Sequence, residues 1–197
     1  MTRRDFAAEL HGAGFQCVGA QHAGAELPIA LQERAEIVLL CEWMEKKTIR
    51  SYLELGFYQG ALLSALDQLF RFERVAGCDE GVVQKKRGLL VTLPDHARIC
   101  WSRTETPAYR RFRHAMGKFD LVFIDADHAY GSVRADYERE RRQPHRFLAF
   151  HDIKNTEHAP GVVRLWNELG GKKRELYVPR PDGEQMGIGL WSSREAP

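Results

Sequence analysis

Six side chains with charge or proton chemistry sit at or just beyond the ends of short apolar runs. Glu54 lies in SYLEL, Asp79 closes RVAGCD, Asp125 closes DLVFID, His128 follows three residues later, and His151 and Asp152 close RFLAFHD. A carboxylate at the end of a buried strand repels phosphate, but it can accept a hydrogen bond from an ammonium or lie near a sulfonium. A second carboxylate 25 residues later, at the end of the next strand, is placed to grip ribose hydroxyls. Carboxylates and imidazoles converging on one spot make a set that holds a divalent cation. Histidine titrates near neutrality and is suited to accept a proton from a reacting hydroxyl.

The stretch from Glu54 to Gly60 (ELGFYQG) has the form of a strand turning into a helix. Gly56 permits a tight turn with close backbone approach, and Gly60 lets the following helix pack near the strand. A pyrophosphate loop needs glycine where Tyr58 stands, so pyrophosphate is disfavoured. A ligand that is positive at one end and carries a ribose is S-adenosylmethionine. Either carboxylate alone reads equally as a solvated strand end; the pair, in this strand order, favours the ligand.

The cluster at Asp125 has bland readings as well. Asp127 is placed to cap the helix that starts near Tyr130, which fits it better than catalysis. Asp125 could serve to order the cofactor loop, His151 to make hydrogen bonds at a strand end, and His128 to be a polar residue in a helix's first turn. Methyl transfer from a sulfonium is an in-line displacement with a neutral leaving group, so the group a protein must add is a base for the hydroxyl nucleophile. Histidine suits that task, so His128 is favoured as the base over a plain polar role, with His151 as the next candidate. Trp101, Tyr130 and Trp166 have spacings that fill cores more often than pockets. Lys85, Lys86 and Arg87, and Arg139, Arg141 and Arg142, read as solvated helix faces.

These residues need a scaffold that brings strand ends together. Seven apolar runs, SYLEL, RVAGCD, ARICW, DLVFID, RFLAFHD, RELYVP and MGIGLWS, have helical segments between most of them. Strands apolar on both faces and separated by helices imply an α/β, doubly wound, mostly parallel seven-stranded sheet. RPDGEQ joins the final two runs through a strong turn signal, so the last strand should run antiparallel. The run from Pro28 places Leu31, Ala35, Val38 and Cys41 at helical spacing, which predicts a helix ahead of the first strand. Residues 1–27 read as a lead-in with a short helix, and 28–197 as one ligand-binding domain.

Composition narrows the class. The 29 basic and 27 acidic residues are scattered, without the stripe that a phosphate backbone requires, so nucleic acid is not the expected partner. No segment has the length and apolarity to span a bilayer, and the N-terminus lacks the apolar stretch of a signal peptide. Cys17, Cys41, Cys78 and Cys100 are far apart, with no CxxC spacing, which points to a reducing, cytoplasmic setting.

ELGFYQG resembles the first motif of class I methyltransferases, above all the small O-methyltransferases of the catechol and caffeoyl-CoA type. DLVFIDADHAY, AFHDI and MGIGLW extend the likeness over roughly residues 28 to 193. DADHAYGSVRAD with HDI and GVVRLWNEL is similar to a bacterial branch related to the macrolide-sugar O-methyltransferases. The resemblance implies a Rossmann-like methyltransferase fold and S-adenosylmethionine contacts from Glu54, Gly56, Tyr58, Gly60, Asp79, Thr104 and Asp125, with Thr104 near the adenine. It implies a basic residue at His128, a small-molecule or sugar hydroxyl as acceptor, and a metal on Asp125, His151 and Asp152. The sequence departs where His151 replaces an oxygen ligand: Mg²⁺ or Mn²⁺ would suit the family's oxygen set, whereas an imidazole favours Mn²⁺, Fe²⁺ or Zn²⁺, or the absence of a metal. A catalytically silent S-adenosylmethionine-binding module and a nicotinamide-dependent oxidoreductase are the alternatives. No large insertion supplies a lid, which leaves residues 1–27, the loop 153–160 and a second subunit of a homodimer to cover the site.

Overall fold

Apolar residues on both faces of the strands set the architecture. In the computed structural model, which describes residues 4–15, 30–82, 93–179 and 186–193, they build one seven-stranded sheet. β1 (Ser51–Leu55) lies at its centre and pairs in parallel with β2 (Arg74–Asp79) on one side and β4 (Phe119–Ile124) on the other. β3 (Arg98–Trp101) extends the sheet beyond β2, and β5 (His145–Phe150) extends it beyond β4, both in parallel. β7 (Ile188–Ser192) is antiparallel to β5 and to β6 (Lys172–Leu176), giving the order β3-β2-β1-β4-β5-β7-β6. The antiparallel final strand is therefore as expected. Strand order reverses between β1 and β4, the place where open α/β sheets bind ligands beyond the carboxyl ends of their strands.

Strand alternation divides the core in two. Tyr52 and Phe123 face a layer with α1 (Phe6–Gly12), α2 (Arg34–Lys47) and α3 (Ala61–Phe70). Leu53, Leu55, Val122 and Ile124 face the layer of α4 (Pro107–Met116), α5 (Tyr130–Glu140) and α6 (Pro160–Glu168). The hydrophobic effect holds each layer, with a fully buried large side chain contributing roughly 1.5–3 kcal/mol. Trp166 of α6 reaches the sheet over Gly189 of β7, where an added Cβ would lie 2.7 Å from the ring.

α1 is docked rather than loose. Asp5 caps it through Ala8 N–H, Phe6 and Leu10 are buried, and Arg4 bonds the carbonyl of Leu69 at the end of α3. Residues 16–27 of the expected lead-in, the Lys85–Arg87 cluster and the Pro-Asp-Gly turn lie outside the described residues. The helix expected from the Pro28 run begins at Arg34. Residues 30–33 precede it without helical conformation, because Glu33 is extended (ψ 128°) and the Gln32 carboxamide is bonded to Asp125. Among the described residues no helix is long and apolar enough to cross a membrane.

Candidate active site

A cavity of about 680 Å³ lies at the carboxyl ends of the strands. Its floor is the β1–α3 turn. Gly56 there has φ +83°, and a Cβ would lie 2.2 Å from the carbonyl oxygen of Asp125, so only glycine lets the β1 and β4 loops meet backbone to backbone. Gly56 N–H donates to the Cys78 carbonyl (2.8 Å), and Asp125 N–H to the Leu55 carbonyl (2.8 Å), which ties three strand ends together. Tyr58 adopts φ +51° in the left-handed region and turns its N–H onto Asp79 Oδ2 (3.0 Å). Asp152, the other non-glycine residue with positive φ on the cavity wall, has φ +61°. Backbone strain of this kind clusters where a site must hold a fixed shape.

The two carboxyl groups expected to meet the cofactor occupy different environments. Glu54 is 1% exposed and accepts from the Tyr52 hydroxyl (2.9 Å), one residue pair along the same face of β1. Burial pushes its carboxyl up to about 8, aided by the charges of Asp125 and Asp79 and opposed by the tyrosine hydroxyl. Asp79 accepts from the N–H groups of Gly81 (2.7 Å) and Tyr58 (3.0 Å). Burial nevertheless leaves its carboxyl raised above the ordinary range. Both face one cavity.

The ends of β4 and β5 bring the remaining groups together. His128 Nε2 is 3.3 Å from Asp125 Oδ1 and 3.5 Å from Asp152 Oδ2. His151 Nδ1, fully enclosed, is 3.3 Å from Asp125 Oδ1 and 3.2 Å from Asp152 Oδ2. Burial pushes the Asp125 carboxyl up, but the charges and hydrogen bonds of His151 and His128 outweigh it and hold it well below the usual carboxylate range. The hydrogen bond that His128 donates to Asp125 raises the imidazole above its ordinary value, with burial opposing. Burial works against protonation of His151 too, yet the two aspartates raise it well above the ordinary histidine range.

Asp125, His128 and Asp152 offer ligand atoms within 4.8 Å of one another, so two carboxylates and an imidazole fit a divalent ion. His128 enters this group where the sequence pointed to His151, whose Nδ1 spans the same two carboxylates while its buried Nε2 has no hydrogen-bond partner among the described residues. A mixed oxygen and nitrogen set suits Mn²⁺, Fe²⁺ or Zn²⁺ better than Mg²⁺.

Most sequence candidates meet at this cavity: Glu54, Gly56, Tyr58, Asp79 and Thr104 line one part, and Asp125, His128, His151 and Asp152 another. Gly60 stands behind the wall as the left-handed N-cap of α3 (φ +78°). Asp127 accepts from Ala129 N–H and the Ser132 hydroxyl, ordering the start of α5. Arg139, read as part of a solvated face, instead lines the cavity and pairs with buried Asp136, because its position on α5 points inward.

A family model described as a methyltransferase domain matches residues 53–153, just over half of the chain. The chain belongs to the methyltransferase-domain family. Fold and family agree: the chain is a methyltransferase-domain protein built on a seven-stranded α/β sheet. Its fold is similar to that of cofactor-bound Rv0187 from MTB, at 20% identity over 96% of this chain and 91% of that one, with a TM-score of 0.57. The O-methyltransferase TomG from Streptomyces achromogenes, solved in complex with SAM, matches at 14% identity, 98% and 92% coverage and a TM-score of 0.56. An O-methyltransferase from Bacillus cereus, in complex with SAH, matches at 14% identity, 98% and 93% coverage and a TM-score of 0.55. At these identities the likeness is one of fold. The uncharacterized protein y4gI of Sinorhizobium fredii (strain NBRC 101917 / NGR234) is 33% identical over 79 residues, 39% of this chain. The chain spans only 8% of that curated relative's length.

Gln32 and Glu36 escaped sequence reasoning. Gln32 Nε2 donates to Asp125 Oδ2 (2.5 Å), and Glu36, buried in the first turn of α2, accepts from Gly187 N–H (2.9 Å). No local signal marks either: Gln32 stands in the approach to α2 and Glu36 in its first turn, as solvated polar residues also do.

Proposed function

We propose that this methyltransferase moves the methyl group of S-adenosylmethionine to a hydroxyl of a small molecule or sugar. The observation that carries the reading is the convergence, on one cavity, of Glu54 and Asp79 around the Gly56 turn with His128 held against Asp125. Glu54 accepts from the α-ammonium of the cofactor, and Asp79 from its ribose hydroxyls. Gly56 and Tyr58 shape the turn beneath, and Gly60 sets the start of α3.

In the reaction His128 removes the proton from the acceptor hydroxyl. The oxygen attacks the methyl carbon, the carbon–sulfur bond breaks, and its electron pair stays on sulfur to give neutral S-adenosylhomocysteine. Asp125 orients the imidazole through Nε2, which leaves Nδ1 to accept the proton. A divalent ion on Asp125, His128 and Asp152 would supply positive charge that lowers the pKa of the hydroxyl. Nε2 of His128 cannot serve Asp125 and such an ion at once, so the base and the metal compete for one atom. The O-methyltransferase neighbours support a hydroxyl acceptor by analogy of fold.

Calorimetry with S-adenosylhomocysteine tests the cofactor half of the reading. Asp79→Ala should weaken binding by on the order of 2–4 kcal/mol, since two charge-assisted hydrogen bonds are lost. A methyl-transfer screen over hydroxylated metabolites, with and without chelator, tests the rest. Absence of any S-adenosylhomocysteine binding would sink the proposal, and full activity in chelator would remove the ion.

A further inference from the structure

We infer that Asp136 reads the exocyclic amine of the cofactor's adenine, making the cavity selective for adenosyl over inosyl ligands. The inference rests on the S-adenosylmethionine reading above and concerns a residue to which neither the sequence nor that reading gave a role.

Gly131, Ser132, Ala135 and Asp136 all line the cavity. Their spacing places them on one face of α5, and the first three have side chains small enough to leave room for a flat ring. Across from them Ser102 and Thr104, in the loop after β3, line the same cavity. That loop is fixed to the proposed ribose site, because Ser102 N–H donates to the carbonyl of Asp79 (2.8 Å). A purine attached to a ribose at Asp79 therefore has a slot between the 102–104 loop and α5, with Asp136 at its side.

The two oxygens of Asp136 are not equivalent. Oδ1 accepts from Thr104 Oγ1 (2.6 Å) and from Arg139 Nη1 (2.5 Å). Oδ2 makes no hydrogen bond among the described residues, although Asp136 is only 2% exposed. On the cavity wall, Oδ2 is an acceptor open to a ligand, and the 6-amino group of adenine supplies an N–H. Burial keeps this carboxyl above its ordinary range, with the hydrogen bonds from Thr104 and Arg139 opposing. Hypoxanthine presents a carbonyl oxygen at the same position, which faces the carboxylate acceptor to acceptor.

Calorimetry with S-adenosylhomocysteine and S-inosylhomocysteine provides the test. The wild-type chain should prefer the adenosyl ligand at least tenfold, about 1.4 kcal/mol. In Asp136→Asn, Thr104 and Arg139 still donate to the one remaining oxygen, so the amide nitrogen takes the place of Oδ2 and donates to the purine. The preference should then shrink to within about threefold or reverse. If Asp136 merely fastened the 102–104 loop, the substitution would weaken both ligands alike and keep their ratio. A wild-type chain that binds both ligands equally overturns the inference, whether or not the variant folds. So does an Asp136→Asn chain that melts like wild type and keeps its full preference. Binding of S-adenosylhomocysteine without discrimination leaves the cofactor reading intact, whereas failure to bind either ligand removes both.

Discussion

Glu54 sits on β1 with the Tyr52 hydroxyl as its donor and a carboxyl pushed up to about 8 by burial. A carboxyl raised on folding keeps its proton in the native chain at pH values where the unfolded chain has lost it. Its contribution to stability therefore falls as pH climbs from the ordinary glutamate range to about 8, and is flat on either side. The urea midpoint should follow that slope, and Glu54→Gln should flatten it. An ammonium arriving beside Glu54 stabilises the ionised form, so S-adenosylhomocysteine binding at pH 7 should release a proton. Calorimetry in buffers of different ionisation enthalpy measures this, and equal proton release by wild type and Glu54→Gln would exclude Glu54 from the ammonium site. His128 belongs to the chemistry rather than to the grip on the cofactor. His128→Ala should bind S-adenosylhomocysteine nearly as well as wild type while turnover falls about a hundredfold. Parental turnover in that variant would make the residue structural and turn attention to His151.

At the scale of elements, the site depends on how closely helices approach strand loops. Gly161, in the first turn of α6, packs against the backbone of the His128 loop: a Cβ there would lie 2.3 Å from Tyr130 N and 2.4 Å from the carbonyl oxygen of His128. α5, which carries Asp136, is in turn locked to α4 by charge. Arg113 and Glu140, 1% and 0% exposed, pair at 2.7 Å, and the Tyr109 hydroxyl bonds the second carboxylate oxygen (2.7 Å). Removing one partner of a buried pair strands the other charge, so Arg113→Ala should lower unfolding free energy by about 3–5 kcal/mol. Combining Arg113→Met with Glu140→Leu should recover much of that loss in urea denaturation, because no lone charge remains. A single variant as stable as wild type would show that the carboxylate is relieved by solvent or by Tyr109 alone.

Across the whole molecule, the binding cavity is made by residues from β1, β2, the loops after β3, β4 and β5, the helices α3 and α5 and the segment ahead of α2, so a ligand there bridges much of the fold. S-Adenosylhomocysteine at a hundred times its Kd should add about 2.7 kcal/mol of stability. For a domain of this size that raises Tm by roughly 5–10 °C in a thermal melt. An unchanged Tm at saturation would mean that binding is not linked to folding. Local sequence was enough to determine the sheet and the central turn. Apolar runs reveal strands buried on both faces, and ELGFYQG needs glycine where backbones touch, so Glu54, Asp79, Asp125 and His128 were legible from type and position. Gln32, Asp136 and Arg139 were not, since on paper they are ordinary polar residues of helices or their approaches. Only packing turns Gln32 onto Asp125, 93 residues away, and encloses Asp136 between Thr104 and Arg139. Whether a polar side chain meets water or a cavity depends on which surfaces the sheet brings together, and no local pattern encodes that.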